Sequence, residues 1–508
     1  MKLRIANNIL VAGAFILLVG SSCQKDWLSP APENQLVSDD TTFNDPNNAT
    51  RFVNACYTNL LTWEETSFAF VGITSITSDD ADKGSSPGDL GSDKDQMDNI
   101  TYTATSGSVS DFWKGNFHGV AACNVALQNV PKYNIDATLR NRLLGEAKFL
   151  RAYYYFNLVR GFGSIPKVDT VLDATNPADL EKANKQVDKS EIYSLIESDL
   201  NYALANLPSK GEYSAADLGR ATKGAAAALL AKVSMYEKKW DQALTLTDNI
   251  INGTYGSYAL VPDYTTIWRE VGENSSESLF EIQGKGTSPY AGVQQYSAVQ
   301  GIRGGVFNVP SSQVAGGWGF NTPSADLDNA YEAGDVRRNA TIIHVGDVLF
   351  DGVKLISAEN ERYNYKAYVS VLKESYSDAD KTNKNVRILR MGEIYLINAE
   401  AANELGNTQK ALTSLNAVRA RARGGNPNVL PDVTSSDQSA LRTAIWKERR
   451  VELGMEHDRF FDLIRQGRAG TVLRALGKNF VDGKNEVFPI PQSEIDASGG
   501  KLIQNPGY

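Results

Sequence analysis

Residues 141–162, NRLLGEAKFLRAYYYFNLVRGF, carry an apolar side chain at every third or fourth position. That spacing aligns the apolar side chains along one face of an α-helix. The glycine at 163 and the proline at 166 indicate that the helix stops there. Further along the chain, residues 190–207 predict a second amphipathic helix, with Ser190 as its N-cap and Pro208 as its terminator. The chain from about residue 46 to residue 252 is therefore expected to be helical.

The sequence also repeats itself over a long interval. Residues Gly224, Ala231, Ala243 and Leu244 return 168 positions later as Gly392, Ala399, Ala411 and Leu412, and the first pair has a third match in Gly145 and Ala152. Small residues at fixed places on one helix let a second helix approach closely, as in the helical hairpin of a tetratricopeptide repeat. Because the repeats are irregularly spaced, we predict an all-α fold, a degenerate tetratricopeptide-like scaffold of helical hairpins.

The composition changes between about residues 253 and 385. Glycine is frequent there, and the only strand-like runs are short, such as SLFEI at 278–282. The segment GGWGFNTPSAD at 316–326 is typical of a loop. We therefore predict one body over residues 46–508, in which a loop-rich insertion with short strands interrupts a helical scaffold at about 46–252 and 386–480.

The N-terminus has the pattern of a targeting segment. Two basic residues precede an apolar run of eleven residues at 9–19, and Gly20-Ser21-Ser22-Cys23 follows. The run is too short to cross a bilayer, which needs about 20 residues. The pattern resembles a bacterial lipoprotein signal, which predicts a signal peptide at 1–22, lipidation of Cys23 and a tether at 23–45. The alternative is an ordinary cleaved signal with an incidental cysteine.

Composition narrows the classes of function. The 508 residues include 51 Lys and Arg against 60 Asp and Glu, a net charge of −9 that becomes −11 when the signal peptide leaves with Lys2 and Arg4. An acidic surface repels phosphate backbones, so we expect no nucleic-acid partner. Three cysteines and three scattered histidines offer no disulfide framework and little material for a metal or catalytic centre. Cys56 and Cys123 are interpreted as small buried residues, with a disulfide as the alternative.

Three motifs match patterns found in functional sites but lack the sequence context that those sites require. The segment 84–88, GSSPG, fits the G-x-S-x-G pattern but lacks the strand and helix that a nucleophile elbow needs. The acidic stretch 79–98 is interpreted as a solvated loop, with a calcium site as the alternative. His457 and Asp458 have no nucleophile placed near them by the sequence, and the alternating arginines and carboxylates of 447–468 predict a helix that neutralises itself. We therefore expect no catalytic residues, no metal and no cofactor.

Several segments together resemble one family. They are Cys23 with DWLSP at 26–30, residues 145–166, RMGEIYLINAEAANELGN at 390–407 with 411–422, KERRVELGMEHDRFFDLIRQG at 447–467, and the ending from VFPIPQSEID to LIQNPGY at 487–508. This chain is similar to the SusD/RagB-type nutrient-binding lipoproteins of the Bacteroidetes outer membrane. The resemblance implies a protein lipid-anchored to the outer membrane and facing the exterior. It also implies that the protein captures glycans and passes them to a SusC-like TonB-dependent transporter. A peptide cargo and a surface glycan hydrolase are the alternatives.

The aromatic residues of the loop-rich region are the best candidates for ligand contacts. Sugars pack their C–H faces on aromatic rings, and their hydroxyls bond to carboxylates, amides and guanidinium groups. Trp318 lies between glycines on a predicted loop, where a core position is hard to justify, and Tyr296 is a second candidate ring. We expect Asp80 and Arg303 to supply the hydroxyl partners. Trp268, in a helix-like segment, is expected in the core.

Overall fold

The computed structural model describes residues 44–89, 91–286, 292–378 and 380–508. Cys23, the predicted signal peptide and most of the predicted tether lie outside these residues. The α-helices are α1 Pro46–Asn59, α2 Trp63–Thr66, α3 Phe68–Val71, α4 Gly91–Asn99, α5 Gly107–Asn129, α6 Ala137–Phe162, α7 Pro177–Ala183, α8 Lys189–Asn206, α9 Lys223–Tyr236, α10 Trp240–Ile251, α11 Gly292–Gln300, α12 Ala325–Ala330, α13 Val336–Thr341, α14 Met391–Glu404, α15 Thr408–Ala422, α16 Gln438–Leu453, α17 Arg459–Arg465, α18 Ala469–Ala475 and α19 Gln492–Ala497. Helix is the dominant element, as the sequence predicts.

Local capping chemistry sets both ends of α6. The Asp136 carboxylate accepts a hydrogen bond of 2.9 Å from the Leu139 amide at the start of α6. The helix ends at Gly163, whose φ of 73° suits a residue without a Cβ. The predicted N-cap of α8 was wrong by two residues. Asp188, not Ser190, caps this helix, and its carboxylate accepts from the Ser190 amide at 2.9 Å.

The helices pack in a chain of neighbours. α1 packs on α5, α5 on α6, α6 on α8 and α8 on α9. The two repeated segments form hairpins, α9 with α10 and α14 with α15, and α10 joins the two hairpins by packing on α14. The predicted tetratricopeptide-like scaffold of helical hairpins is therefore confirmed.

Two of the three repeated glycines have different neighbours from those we predicted, whereas a Cβ at Gly145 would meet the end of α8 at Ala203 and Leu207, as expected. A Cβ at Gly224 would overlap the ring of Tyr258, and one at Gly392 would overlap Arg390 and Glu452. Neither contact is with the second helix of the hairpin. The repeat predicted the hairpins correctly, whereas the close approach of these two glycines serves other contacts.

The strands are short and pair in twos. They are β1 Ala81–Gly84, β2 Ile165–Pro166, β3 Gln186–Val187, β4 Ser278–Ile282, β5 Val306–Phe307, β6 Phe320–Pro323, β7 Ile342–His344, β8 Leu355–Ser357, β9 Arg362–Asn364, β10 Tyr376–Asp378, β11 Lys381–Thr382 and β12 Val386–Arg390. Every pair is antiparallel: β1 with β6, β2 with β3, β4 with β12, β5 with β8, β7 with β9 and β10 with β11. The β1–β6 pair, with Gly84 opposite Phe320, brings the N-terminal third of the chain against the loop-rich region.

A large apolar cluster spans the helical scaffold, and smaller ones lie in the loop-rich region. Trp268 is 4% exposed and belongs to one of the smaller clusters, so its predicted core position is confirmed. Cys56 and Cys123 are buried free thiols, as the first interpretation expected. No helix within the described ranges is long and apolar enough to cross a membrane.

Buried ion pairs tie the C-terminal helices to the rest of the body. Glu452 accepts hydrogen bonds from Arg390 and Arg337, two guanidinium groups outside its own helix. Burial alone would raise the pKa of Glu452, but these arginines together with Arg421 hold it well below its usual value. The predicted self-neutralising helix was therefore mostly wrong, because these side chains find their partners across the fold. Arg465 and Asp462 are an exception, forming an i,i+3 pair within α17.

Candidate ligand-binding surface

The predicted loop tryptophan sits in an aromatic cluster built from three parts of the chain. The ring of Trp318 stacks on Phe68 of α3, with centroids 5.5 Å apart and planes 16° apart. Trp63 of α2 lies 6.2 Å from Trp318 and 5.2 Å from Phe68. Phe68 is buried, whereas Trp63 and Trp318 are both half-buried. Since Phe68 covers one face of Trp318, the two tryptophans expose a pair of ring surfaces above a buried base. We call Trp63 and Trp318 the tryptophan pair.

Backbone contacts fix the loop that carries Trp318. The Trp318 amide donates to the Ala298 carbonyl at 2.7 Å, and the Gly317 amide donates to the Ile302 carbonyl at 2.9 Å. Gly317 also packs directly on the backbone of Gly301, leaving no room for a Cβ. The loop is held more firmly than its glycines suggested, so the ring is presented in one orientation.

A polar group borders the tryptophan pair at Gly319, where a Cβ would lie 2.9 Å from the Cβ of Arg303. The Arg303 Nε pairs with Glu359 at 3.0 Å, and its Nη1 pairs with Asp89 and donates to the Ser85 hydroxyl at 3.1 Å. Arg303, Asp89 and Glu359 keep 30%, 35% and 42% of their side chains exposed. We call these residues, together with Ser85 and Ser86, the Arg303 group.

The loop that supplies the two serines is held against the tryptophan loop. Ser85 has a φ of 55°, a left-handed conformation that is uncommon for a residue with a side chain. Its amide donates to the Gly319 carbonyl at 2.6 Å, and its hydroxyl donates to Asp89 at 2.9 Å. The Ser86 hydroxyl donates to Glu359 at 2.6 Å. These hydrogen bonds stabilise the strained turn at Ser85 and connect the Arg303 group to the tryptophan pair.

The structure places Asp80 and Tyr296 in the interior. Asp80 is 2% exposed, and its carboxylate accepts a hydrogen bond of 2.8 Å from the Arg450 Nε. Tyr296 is 6% exposed, and its hydroxyl shares a hydrogen bond of 2.7 Å with Nε2 of His457. Both side chains have committed partners, so a ligand at the surface meets Trp318 and Arg303 before either of them. Of the four ligand-binding residues predicted from the sequence, only Trp318 and Arg303 lie together at the surface.

Phe68 rests on a buried cation. The Lys94 ammonium lies 5.1 Å from the centre of the Phe68 ring and is paired with Asp93 at 2.6 Å. Burial lowers the pKa of Lys94, and the Asp93 charge opposes that effect. The base of the cluster is thus a stack of Trp318, Phe68 and Lys94.

Carboxyl groups lie near Trp63, on α2 and on the facing part of α5. Glu65 is 1% exposed, and neither of its carboxyl oxygens has a hydrogen-bond partner among the described residues. Burial, with a smaller contribution from Glu64, raises the pKa of Glu65 well above its usual value. α2 lies against α5 at Gly115, where a Cβ would come 2.8 Å from the Glu64 Cβ. The pKa of Asp111, one turn earlier on α5, is raised by burial and by the Glu64 charge.

The motifs that hinted at chemistry have structural roles. Ser85 of GSSPG bonds to Asp89 and Arg303, with no histidine among its hydrogen-bond partners. The stretch 79–98 is not a solvated loop: Asp79 and Asp80 are buried in ion pairs, and α4 and β1 fall within it. Across the described residues, no group of three or more His, Cys, Asp or Glu side chains is arranged to hold a metal ion.

Sequence reasoning missed Phe68, Asp89, Glu359 and Ser86. Phe68 follows WEETS and reads as an ordinary core residue, so no local signal marked it. Asp89 and Glu359 reach Arg303 from positions far away in the chain. The glycines that flank Arg303 and Trp318 were the one usable signal, because they mark backbones in close contact.

A scaffold of tetratricopeptide-like hairpins that carries a half-buried tryptophan pair with a polar border is typical of a helical-repeat binding protein. Two family models match this chain. One, described as the SusD family, covers residues 353–508, and the other, described as starch-binding associating with outer membrane, covers residues 26–235. Together the two models cover most of the chain, which belongs to the SusD/RagB family.

Individual relatives span most of the chain. SusD-like protein P2 of Formosa agariphila is 28% identical over 446 residues, which cover 81% of this chain and 83% of that protein. A SusD-like protein of Bacteroides ovatus is 27% identical over 497 residues, covering 91% and 83%.

Solved structures share the fold. A laminarin binding SusD-like protein aligns with a TM-score of 0.78 at 29% identity, covering 92% of this chain and all of that one. The surface glycan-binding protein A of Bacteroides thetaiotaomicron, in complex with laminarihexaose, aligns with a TM-score of 0.74 at 25% identity, covering 90% and 99%.

Proposed function

We propose that this protein captures a glycan at the bacterial surface and delivers it to a SusC-like TonB-dependent transporter. The observation that carries the proposal is the half-buried tryptophan pair beside the exposed Arg303 group. The rings offer a face for the C–H surface of a sugar, and the polar group offers donors and acceptors for its hydroxyls. Two structural neighbours described as binding laminarin or laminarihexaose support a glycan as the ligand.

Within this surface, Trp318 is the proposed stacking residue and Arg303 the proposed hydroxyl partner. Asp80 and Tyr296 are proposed to support this surface from the interior of the protein. Asp80 holds Arg450 where β1 meets the C-terminal helices, and Tyr296 lies on α11, whose Ala298 carbonyl holds the Trp318 amide. Replacement of either buried residue is expected to change the placement of the surface.

Affinity electrophoresis tests the binding. The purified protein is run through native gels that contain laminarin, starch, or another polysaccharide, with bovine serum albumin as the control for nonspecific retardation. We expect at least one glycan to retard the wild-type protein and Trp318→Ala to reduce the effect. Absence of retardation by every glycan, combined with retention of a peptide mixture, would favour the peptide alternative.

A binding role also predicts that the protein releases no product. Incubation with the glycan that binds is expected to generate no new reducing ends. Release of reducing ends that persists after repeated purification would support the hydrolase alternative. The Asp89 and Glu359 carboxylates, both paired to Arg303, are the first residues to replace in that case.

Anchoring and delivery are separate proposals. Cys23 lies outside the described residues, and we propose that it carries the lipid that tethers the protein to the outer membrane. Cys23→Ala should move the protein from the membrane to the soluble fraction, because one or two acyl chains would be its membrane attachment. Retention of that variant in membranes from cells that lack the transporter would contradict the anchor.

For delivery, a pull-down in mild detergent is expected to recover a large outer-membrane barrel protein in a roughly equal amount. A stable complex between this protein and the transporter needs an interface of about 2,000 Å² or more. Recovery of this chain alone in several detergents would count against the partnership.

A further inference from the structure

We propose that the surface formed by the tryptophan pair and the Arg303 group selects uncharged glycans and rejects sulfated or uronate-bearing ones. The inference rests on the proposed function and narrows its substrate class. It depends on how the charged side chains around the two rings are paired.

Three cations that lie close to the tryptophan pair already have anionic partners. Arg303 pairs with both Asp89 and Glu359, and Lys94 pairs with Asp93 beneath Phe68. Lys83 pairs with Asp95 at 3.1 Å. A sulfate or carboxylate on the ligand would have to displace one of these partners, leaving a protein carboxylate without its cation.

Lys83 is committed further by backbone oxygens. Its ammonium donates to the Pro87 carbonyl at 3.1 Å, and its side chain is only 6% exposed. Lys94 is 4% exposed and also donates to the Ser108 hydroxyl. Neither lysine can turn towards the surface without abandoning buried partners, so Arg303 is the one of these three cations that a ligand meets.

Carboxylates outnumber cations around the rings. Asp89 and Glu359 flank Arg303 on one side. Near Trp63, Glu64 and Asp111 are half-buried, and neither has an ion-pair partner within 4 Å among the described residues. Lys114, exposed on α5 one turn after Asp111, is the other cation in this neighbourhood. Apart from the Lys83–Asp95 and Lys94–Asp93 pairs, four carboxylates therefore face two cations, and the local field repels an anion.

The same arrangement suits a neutral sugar. Sugar hydroxyls donate hydrogen bonds, and the carboxylate oxygens of the Arg303 group can accept them while their ion pairs remain in place. A neutral ligand leaves the two ion pairs of Arg303 intact. The expected discrimination is at least tenfold in affinity at low ionic strength, where charges within about 10 Å still interact.

The test compares glycans that differ only in charge. Laminarin and starch are each placed in native gels beside their sulfated derivatives, at low salt, and the apparent dissociation constant is read from the retardation. We expect the neutral form to retard the wild-type protein at a concentration at least tenfold below that of its sulfated form. Equal or stronger retardation by a sulfated form would overturn the inference and leave glycan binding intact.

Variants assign the effect to named carboxylates. The double variant Asp89→Asn with Glu359→Gln removes both negative charges beside Arg303, so the sulfated glycan should gain at least tenfold in affinity. Asp95→Asn, which removes a carboxylate paired to the buried Lys83, is the matched control and should gain much less. Equal gains in the two proteins would overturn the assignment to the Arg303 group. Melting temperatures of all three proteins show whether each variant remains folded.

Salt separates electrostatic from steric rejection. In about 1 M NaCl the screening length falls to about 3 Å, so the discrimination against the sulfated glycan should shrink towards unity. Persistence of the full discrimination at high salt would mean that the surface excludes sulfate groups by shape, contrary to the inference. Absence of retardation by all four glycans contradicts the proposed function itself, and the inference with it.

Discussion

Trp318 and Phe68, separated by 250 positions in the chain, stack with their ring planes 16° apart and their centroids 5.5 Å apart. Phe68 meets Phe320 edge to face at 4.9 Å and has the Lys94 ammonium close to its ring. The half-buried Trp318 ring therefore packs on Phe68, which the core holds in place. A ligand that stacks on Trp318 does not have to order the ring first, which favours affinity.

Removal of the Trp318 ring should weaken glycan binding more than it weakens the fold. Loss of a stacking ring costs about 1–3 kcal/mol, by analogy with interface hot spots, which corresponds to roughly a 5- to 150-fold loss of affinity for Trp318→Ala. Because the ring also stacks on Phe68, the free energy of unfolding should fall by about 0.5–1.5 kcal/mol. Titration calorimetry and urea unfolding measure the two effects.

The matched control for this truncation is Trp240→Ala. Trp240 begins α10 and packs, half-buried, on the helical core. Its removal should lower stability and leave glycan affinity unchanged. A large loss of stability in Trp318→Ala with unchanged affinity would show that the ring is only a core residue.

Two neighbouring glycines should respond differently to the same substitution. A Cβ at Gly317 would lie 2.6 Å from the Ala298 carbonyl oxygen and closer still to Gly301, whereas nothing lies within 4 Å of one at Gly316. Gly317→Ala should displace the loop, reduce glycan affinity at least tenfold and cost about 1–3 kcal/mol of stability. Gly316→Ala should resemble the wild type. Equal affinities of the two variants would contradict the role of the Gly301–Gly317 contact in aiming Trp318.

Stability should decrease below about neutral pH because of His457. Burial, opposed by the Asp458 and Glu456 charges, lowers the pKa of His457 to about 4. The unfolded chain therefore binds a proton near pH 6.5, where the folded chain does not. The contribution of this residue is complete above about pH 6.5 and is lost progressively as the pH falls towards 4, up to about 3 kcal/mol.

Urea unfolding at several pH values measures that slope. His457→Asn is the informative variant, because asparagine tolerates the φ of 70° found at this position. Its stability should depend less on pH between about 6.5 and 4. His118→Gln, at an exposed position on α5, should retain the wild-type slope. An unchanged slope in His457→Asn would exclude His457 as its source.

The contribution of Glu65 to stability should decrease as the pH rises, the opposite of the pH dependence expected from His457. The pKa of Glu65 is raised by burial, so the folded chain holds a proton that the unfolded chain releases above the ordinary glutamate range. The contribution of the neutral carboxyl is complete below that range and is lost as the pH rises towards the folded pKa. Glu65→Gln should therefore be more stable than the wild type at about pH 8, with the advantage shrinking towards pH 5, by the same linkage.

Thermal melts of Glu65→Gln and the wild type across this range measure the difference. A pH-independent difference between Glu65→Gln and the wild type would show that Glu65 ionises normally in the folded protein. Because α2 carries both Glu65 and Trp63, glycan affinity of the wild type should fall over the same pH interval.

The sequence alone determined the elements that depend on neighbouring residues. The period of apolar side chains and the glycine stop marked α6, and the repeat at a fixed interval marked the two hairpins α9–α10 and α14–α15. Helix formation and capping are decided within a few residues, so the printed order of side chains is sufficient to find them. Even there the observed N-cap of α8 differs from the predicted one by two residues, because aspartate and serine are both favourable N-cap residues.

Tertiary structure alone decided which polar groups face the ligand. Asp80 and Arg303 look equally available in the sequence, yet Asp80 meets Arg450, 370 positions away, inside the fold. Arg303 meets Asp89 and Glu359 at the surface. A partner that arrives from a distant segment leaves no trace in the local sequence, and burial follows from the sum of such contacts. The sequence therefore identified the kinds of side chain that could bind a sugar, and long-range packing determined which of them remain exposed.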